Sequence, residues 1–462
     1  MKMPPSRETS GRQALGRGAK VGLLALCLAA TGCATVRQAR EAQDVTRVPA
    51  GERTVSAAEI GLTDQTLLTL DQALQIALAY HPAMVEARQN LVVASNQLRQ
   101  AKAAWGPTVD TSAGYRRGTS NTSAARGSHE SDDSYSAGLS LDQSLYDFGK
   151  TAASVKKSEA LLQAARERVQ GARNDVVFLA QVAFYDLGRA QELLAVAEET
   201  ERQFLKRLEQ VRGLVEVGRR IKYDITKVEV DLGNARLDLI KARNAVTVAR
   251  ATLWRRLGLA EEPLCRIAPE PLMEFQGVYA ERMQRALLNQ PELLALRAQV
   301  RAASATVDAA VAELYPSLSV SGEYLLNGGA LPLIWNWAAA ARFGMNLFNS
   351  GRSTAAINAA VAELRGARAR VAECEQQIGL DLRTAFSQWE ASRERQGLTV
   401  LIVRQAGENL ELVTERYRLG QANSVEVTDA QADLSRARGE EVGARFDYQS
   451  AVAAILHTTG EE

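Results

Sequence analysis

The chain has little with which to do chemistry. Its three histidines, at 81, 129 and 457, are scattered over 462 residues and offer no metal-ligand spacing. Its four cysteines, Cys27, Cys33, Cys265 and Cys374, form neither a paired zinc pattern nor a disulfide framework. A nucleophile elbow and a phosphate-binding glycine loop are both missing, so no catalytic residue, metal or cofactor is expected and the chain does not read as an enzyme. A formal net charge of +1 removes the electrostatic basis for binding nucleic acid. What is abundant is Ala, Leu, Val, Arg and Glu, within a hydrophobic content of 46%. That mix favours long helices around a sizeable core.

The N-terminus carries Lys2, Arg7, Arg12, Arg17 and Lys20, followed by a ten-residue apolar run from Val21 to Ala30 and then Thr31, Gly32 and Cys33. A basic region, an apolar run too short to span a bilayer and small residues before a cysteine read as a secretory signal over 1–32. The residues before Cys33 resemble the bacterial lipoprotein box, although Ala30 stands where the box usually has Leu. Cys33 is therefore the expected lipidation site. Ala34 after it resembles lipoproteins sent on to the outer membrane.

The rest of the chain is written twice. A first helix opens at Thr69, Leu70 and Asp71 and is expected to run past His81 and Pro82 to about Trp105, Gly106 and Pro107. Its counterpart runs from Glu281 past Gln290 and Pro291 to Tyr315 and Pro316, so the paired prolines lie 209 residues apart. After each comes period-two alternation, the mark of strands with two different faces. Val109, Thr111, Ala113 and Tyr115 oppose Asp110, Ser112 and Gly114, and later Leu318, Val320 and Tyr324 oppose Ser317, Ser319 and Glu323. Two hairpins are expected, over 108–146 and 317–347, with strands long enough to cross a membrane if tilted.

From the strand exits at Gly149 and Gly351 onward the repeat offset is 202 without a gap, through Gly218 and Gly420 to Gly258 and Gly460. Positions 155, 162, 169, 176, 183, 190, 197, 204 and 211 are all apolar, a coiled-coil seam of period seven. The equivalents from Ile357 to Val413 break that rule only at Ser392 and Thr399. A helix from 150 to 217 would be about 100 Å long. The ascending and return helices are each about half that length and should stack end to end. The domain plan is thus an N-terminal segment 33–70, a first repeat 71–258, a connector 259–280 and a second repeat 281–460. The N-terminal segment and the connector are expected at the same mid-height level.

Each long helix ends at a matched turn, 217–226 and 419–428, where Gly218 or Gly420 is followed by a polar link, an acid (Asp224, Glu426) and a threonine (Thr226, Thr428). With the doubled proline breaks and strand exits, these turns resemble the TolC-like outer-membrane efflux protein family over nearly all of the mature chain. The resemblance implies a mainly α chain with a β-barrel part: a homotrimer in which four strands per protomer build a 12-stranded outer-membrane barrel on a long periplasmic helical coiled-coil barrel. Four strands alone would leave bare edges in lipid, which independently asks for an oligomer. The implied function is a passive exit duct of a tripartite efflux or type I secretion system. It would be lipid-anchored in the bacterial outer membrane, extend into the periplasm, and be opened by a periplasmic adaptor (membrane fusion) protein and an inner-membrane transporter.

Carried residue by residue, the resemblance places the periplasmic constriction at Glu426 and Asp429, a tip latch at Asp224 and Tyr417, and adaptor docking at Val217, Gly218, Arg219, Leu419, Gly420 and Gln421. Ala422 stands where the family's latch has an arginine, while Arg219 and Arg220 follow the first glycine. Trp335, Trp337, Tyr115 and Tyr135 are expected either as interface aromatics or as ordinary hairpin packing. Helix capping is the competing role for the two tip acids. The competing role for the whole chain is a non-conducting coiled-coil envelope lipoprotein. The cargo is not legible: the residues around His81 and Gln290 lack the arginine-rich motif of the drug-efflux lipoprotein branch.

Overall fold

A short strand, β1 (Leu67–Leu68), leads to Thr69, whose hydroxyl accepts from Gln72 N at 3.4 Å while Gln72 Oε1 accepts from Thr69 N at 3.2 Å. This capping box satisfies two amides and opens α1 (Leu70–Tyr80). The computed structural model describes residues 35–37, 39–40, 42–43, 56, 59, 67–119, 131–260, 266–268 and 274–461. Cys33 and the signal expected over 1–32 lie outside them. The chain divides into two units, Met1–Thr54 and Val55–Glu462. In the first, the described residues 35–37, 39–40 and 42–43 are helical and exposed. The second holds both repeats.

The ascending helix does not run through, contrary to the sequence expectation. It breaks at His81, whose φ of −66° and ψ of 127° are extended, and restarts as α2 (Pro82–Ala103). The cause is steric: a proline ring excludes the helical conformation at the residue before it. His81 Nδ1 then caps the new helix by accepting from Ala83 N at 3.2 Å. The chain continues through β2 (Thr108–Thr119), β3 (Ser131–Tyr146), α3 (Lys150–Glu216), α4 (Lys222–Leu257) and β4 (Arg266–Ile267). The second copy is α5 (Tyr279–Asn289), broken the same way at Gln290, then α6 (Pro291–Ala312), β5 (Ser317–Gly328), β6 (Ile334–Gly344), α7 (Arg352–Arg418) and α8 (Ser424–Thr459). The helices match copy for copy at 11, 22, 67 and 36 residues.

The seam residues of α3 are buried or half-buried without exception. In α7 the two polar exceptions are buried too, and each hydroxyl returns to its own helix: Ser392 donates to Trp389 O at 2.9 Å and Thr399 to Gln396 O at 3.1 Å. A polar atom satisfied in this way can sit in a core.

Where the half-length helices meet, backbones approach closely. Gly258 ends α4 at φ 76°, and a Cβ there would lie 2.8 Å from His81 Cα and from Tyr80 O. Gly460 ends α8 at φ 71° against Asn289 O. Both return helices therefore abut the proline breaks. Around the first joint lies the largest core, with Trp254, Phe184, Leu187, Leu253 and Leu257; around the second lie Phe275, Leu382, Phe386, Trp389 and Ile455. β1 pairs in parallel with β4 at this level, beside Gly188 near the middle of α3.

The four long strands form one antiparallel sheet in the order β2-β3-β5-β6. Register aligns the faces across it: Thr111, Leu139, Tyr324 and Trp337 share one row, and Asp110, Ser140, Glu323 and Ala338 the next. One face carries Val109, Tyr115, Tyr135, Leu141, Trp335 and Phe343, all exposed in this protomer. The other carries Asp110, Arg116, Asp142, Glu323, Asn327 and Arg342, interrupted by Leu325 and Ile334. Among the described residues β2 and β6 are unpaired edges. At the helix end of the sheet Tyr146 meets Phe148 edge-on, ring centroids 4.7 Å apart, and Phe148 stacks on Tyr315 at 5.7 Å.

Candidate functional site at the helical tips

Both tips are built by the same backbone device. Gly218 at φ 73° donates to Val215 O at 3.0 Å, and Arg219 N donates to Leu214 O at 2.9 Å. Gly420 at φ 76° donates to Tyr417 O at 3.1 Å, and Gln421 N donates to Arg416 O at 2.8 Å. These reverse bonds satisfy the last carbonyls of α3 and α7, and only glycine enters the left-handed conformation without strain. Val217 and Leu419 are left exposed at the ends, with Arg219 and Gln421 beside them.

The two return helices begin differently. At the second tip Asn423 Oδ1 accepts from Glu426 N at 2.8 Å, and Glu426 Oε1 accepts from Asn423 N at 3.2 Å. Glu426 also lies 3.5 Å from Arg416 Nη1. In this protomer its carboxylate therefore performs the capping role. Asp429, three residues on and so on the same helical face, is exposed. α4 has no side-chain cap at Ile221. Its first-turn acid, Asp224, is buried, as is Tyr417 on α7.

A direct Asp224–Tyr417 hydrogen bond does not form: Tyr417 Oη has no hydrogen-bond partner among the described residues. Arginines hold the ring instead. Arg207 Cζ lies 3.9 Å and Arg220 Cζ 4.1 Å from its centroid. Arg220 Nη2 also donates to Tyr417 O at 3.3 Å and Ala422 O at 3.4 Å, joining the first tip to the second. Ala422 is buried, and Arg220 of copy one reaches its carbonyl from the other hairpin. A cation held against an aromatic face contributes about 0.5–2 kcal/mol.

Sequence reading missed Arg207. The signal was present: it lies three residues after Phe204 and four before Val211, on the apolar stripe of α3. It is only 7% exposed, and its Nε and Nη2 have no partner. Burial, with the Arg220 charge adding to it, pushes its guanidinium below the ordinary range, while Tyr417 and Asp224 act in the opposite direction.

Comparison with known proteins follows the same division of the chain. Residues 73–259 and 283–461 match the family "Outer membrane efflux protein" as two blocks, one per repeat. The outer membrane efflux protein BepC of Brucella suis biovar 1 is 25% identical over 405 residues, covering 86% of this chain and 87% of BepC. The Campylobacter jejuni CmeC outer membrane channel has the same fold at a TM-score of 0.78 and 18% identity, with 85% of each chain covered. The open-state MtrE outer membrane channel of Neisseria gonorrhoeae gives 0.72 at 19% identity, covering 90% of this chain and 96% of its own. Duplicated 67-residue helices, a four-stranded sheet at one end and paired glycine turns at the other thus come with a family match across both repeats, and the chain belongs to the outer membrane efflux protein family, with the TolC-like fold.

Proposed function

We propose that three copies of this chain form the exit duct of a tripartite efflux or type I secretion system. The duct carries cargo passively from the periplasm to the exterior. The observation that carries this reading is the two-faced sheet with both edges unpaired. In lipid each unpaired backbone group costs several kcal/mol, so the sheet has to close, and three protomers of four strands close at twelve. The exposed apolar face then meets lipid and the charged face lines the lumen. Aromatics support the placement. Tyr135 and Tyr146 stand near opposite ends of β3, about 37 Å apart along the strand and about 28 Å apart across a membrane at a tilt near 40°. A spacer lipoprotein has no use for such a sheet.

The tips are the partner-facing end. Val217, Gly218, Arg219, Leu419, Gly420 and Gln421 form the surface on which a periplasmic adaptor docks, and an inner-membrane transporter supplies the energy. Tyr417, clamped by Arg207 and Arg220 near Asp224, is the latch that docking releases. Glu426 and Asp429, repeated three times around the axis, form the constriction. Cys33 carries the lipid anchor in the outer membrane. A photoreactive residue placed at Arg219 or Gln421 in cells should trap one adaptor in good yield. Trapping of no envelope protein from either position would overturn the docking assignment.

A further inference from the structure

Between the first tip and the second lies a cavity of about 660 Å³, lined by Arg207, Arg219, Arg220 and Arg418 with Tyr417, Leu214 and Thr414. No carboxylate lines it. Arg418 is matched by Glu415, 2.6 Å away on its own helix. Arg207, Arg219 and Arg220 form no ion pair among the described residues, and the charges acting on Arg207 are those of Tyr417, Arg220 and Asp224. With three unpaired guanidiniums and no carboxylate on its lining, the cavity carries an excess of positive charge.

Two buried side chains on the wall have unused donors. Among the described residues Arg207 Nε and Nη2 have no partners and the Tyr417 hydroxyl has none either; the two residues are 7% and 4% exposed. A cation taken out of water without a counter-charge is costly, and the fold tolerates it here beside two further arginines. Guanidinium forks match oxyanions by paired parallel N–H···O bonds, and a phenol adds a donor.

We propose that this cavity is a binding site for a small divalent oxyanion of the phosphate or sulfate class. The anion bridges Arg207 and Tyr417 in the buried wall to Arg219 and Arg220 on the turn, tying the α3–α4 hairpin to the α7–α8 hairpin. Its two charges offset the local excess, and the cavity has room for the ion with part of its hydration.

Calorimetric titration of the detergent-purified full-length protein with inorganic phosphate and with sulfate, in chloride buffer of matched ionic strength, tests this. Saturable binding of one anion per protomer is expected. Arg219→Gln, which changes an exposed side chain, should weaken it at least tenfold, and Arg207→Gln should abolish it. Absence of saturable heat, equal stabilisation by chloride, or unchanged affinity in Arg219→Gln and Arg220→Gln together would each overturn the site. So would binding of an acidic peptide but not of phosphate, which would make the cavity a protein contact. The anion's role in holding a duct shut rests on the reading proposed above. Binding with no fall in conductance on adding phosphate would reject that role while leaving the site in place.

Discussion

Gly258 meets two separate demands, a positive φ and a backbone neighbour 2.8 Å from where its Cβ would be. Gly420 meets only the first, since open space surrounds it. An L-residue in the left-handed region costs about 1–2 kcal/mol, so Gly420→Ala should lose roughly that much. Gly258→Ala should lose more, because His81 backbone must also move. Thermal melting of the two purified variants distinguishes them, and equal falls would contradict a packed joint. His81 adds a pH dependence there. Burial first, and then the Arg256 charge, lower its pKa below 6.5, and its Nδ1 must be unprotonated to cap α2. Because the unfolded chain binds the proton more readily, stability is full above pH 6.5 and falls as pH drops below it. Melting temperature should therefore be lower at pH 5.5 than at pH 7.5, and His81→Asn, which keeps a cap, should flatten that difference. Residues that cap, turn or repeat were legible in the sequence, as Thr69, Gly218 and Gly420 illustrate. Arg207 was marked only by its place on the apolar stripe of α3, and the arginine clamp on Tyr417 was not legible, because it depends on which helices become neighbours.

Among elements, the seven-residue period of α3 and α7 was strong enough to read their length, and the period-two stretches their partner strands. The break at His81 was harder. Apolar periodicity continues through Pro82, and it is the steric exclusion before proline, with a nearby glycine helix end to stack on, that divides α1 from α2. The second tip rests on the cap between Asn423 and Glu426. Asn423→Ala should cost about 1 kcal/mol and speed amide exchange in the first turn of α8, with the first tip unaffected. Faster exchange at both tips would mean that the two turns form one unit.

At the scale of the molecule, the sheet faces and the exposed apolar rows acquire their roles only when copies assemble, and the constriction proposed for the acids of α8 depends on the same assembly. Three Glu426 and three Asp429 gathered around one axis would attract cations and repel anions. Glu426→Gln with Asp429→Asn should therefore reduce cation preference while leaving assembly intact. The sequence announces the duplication that makes this geometry possible, whereas the closed barrel is a property of neighbours that a single chain does not contain. The most direct test is the purified protein in planar lipid bilayers, with its mass measured in detergent. A trimer giving cation-preferring single-channel conductance is the predicted result, and a monomer, or a trimer that inserts without conducting, would contradict the duct.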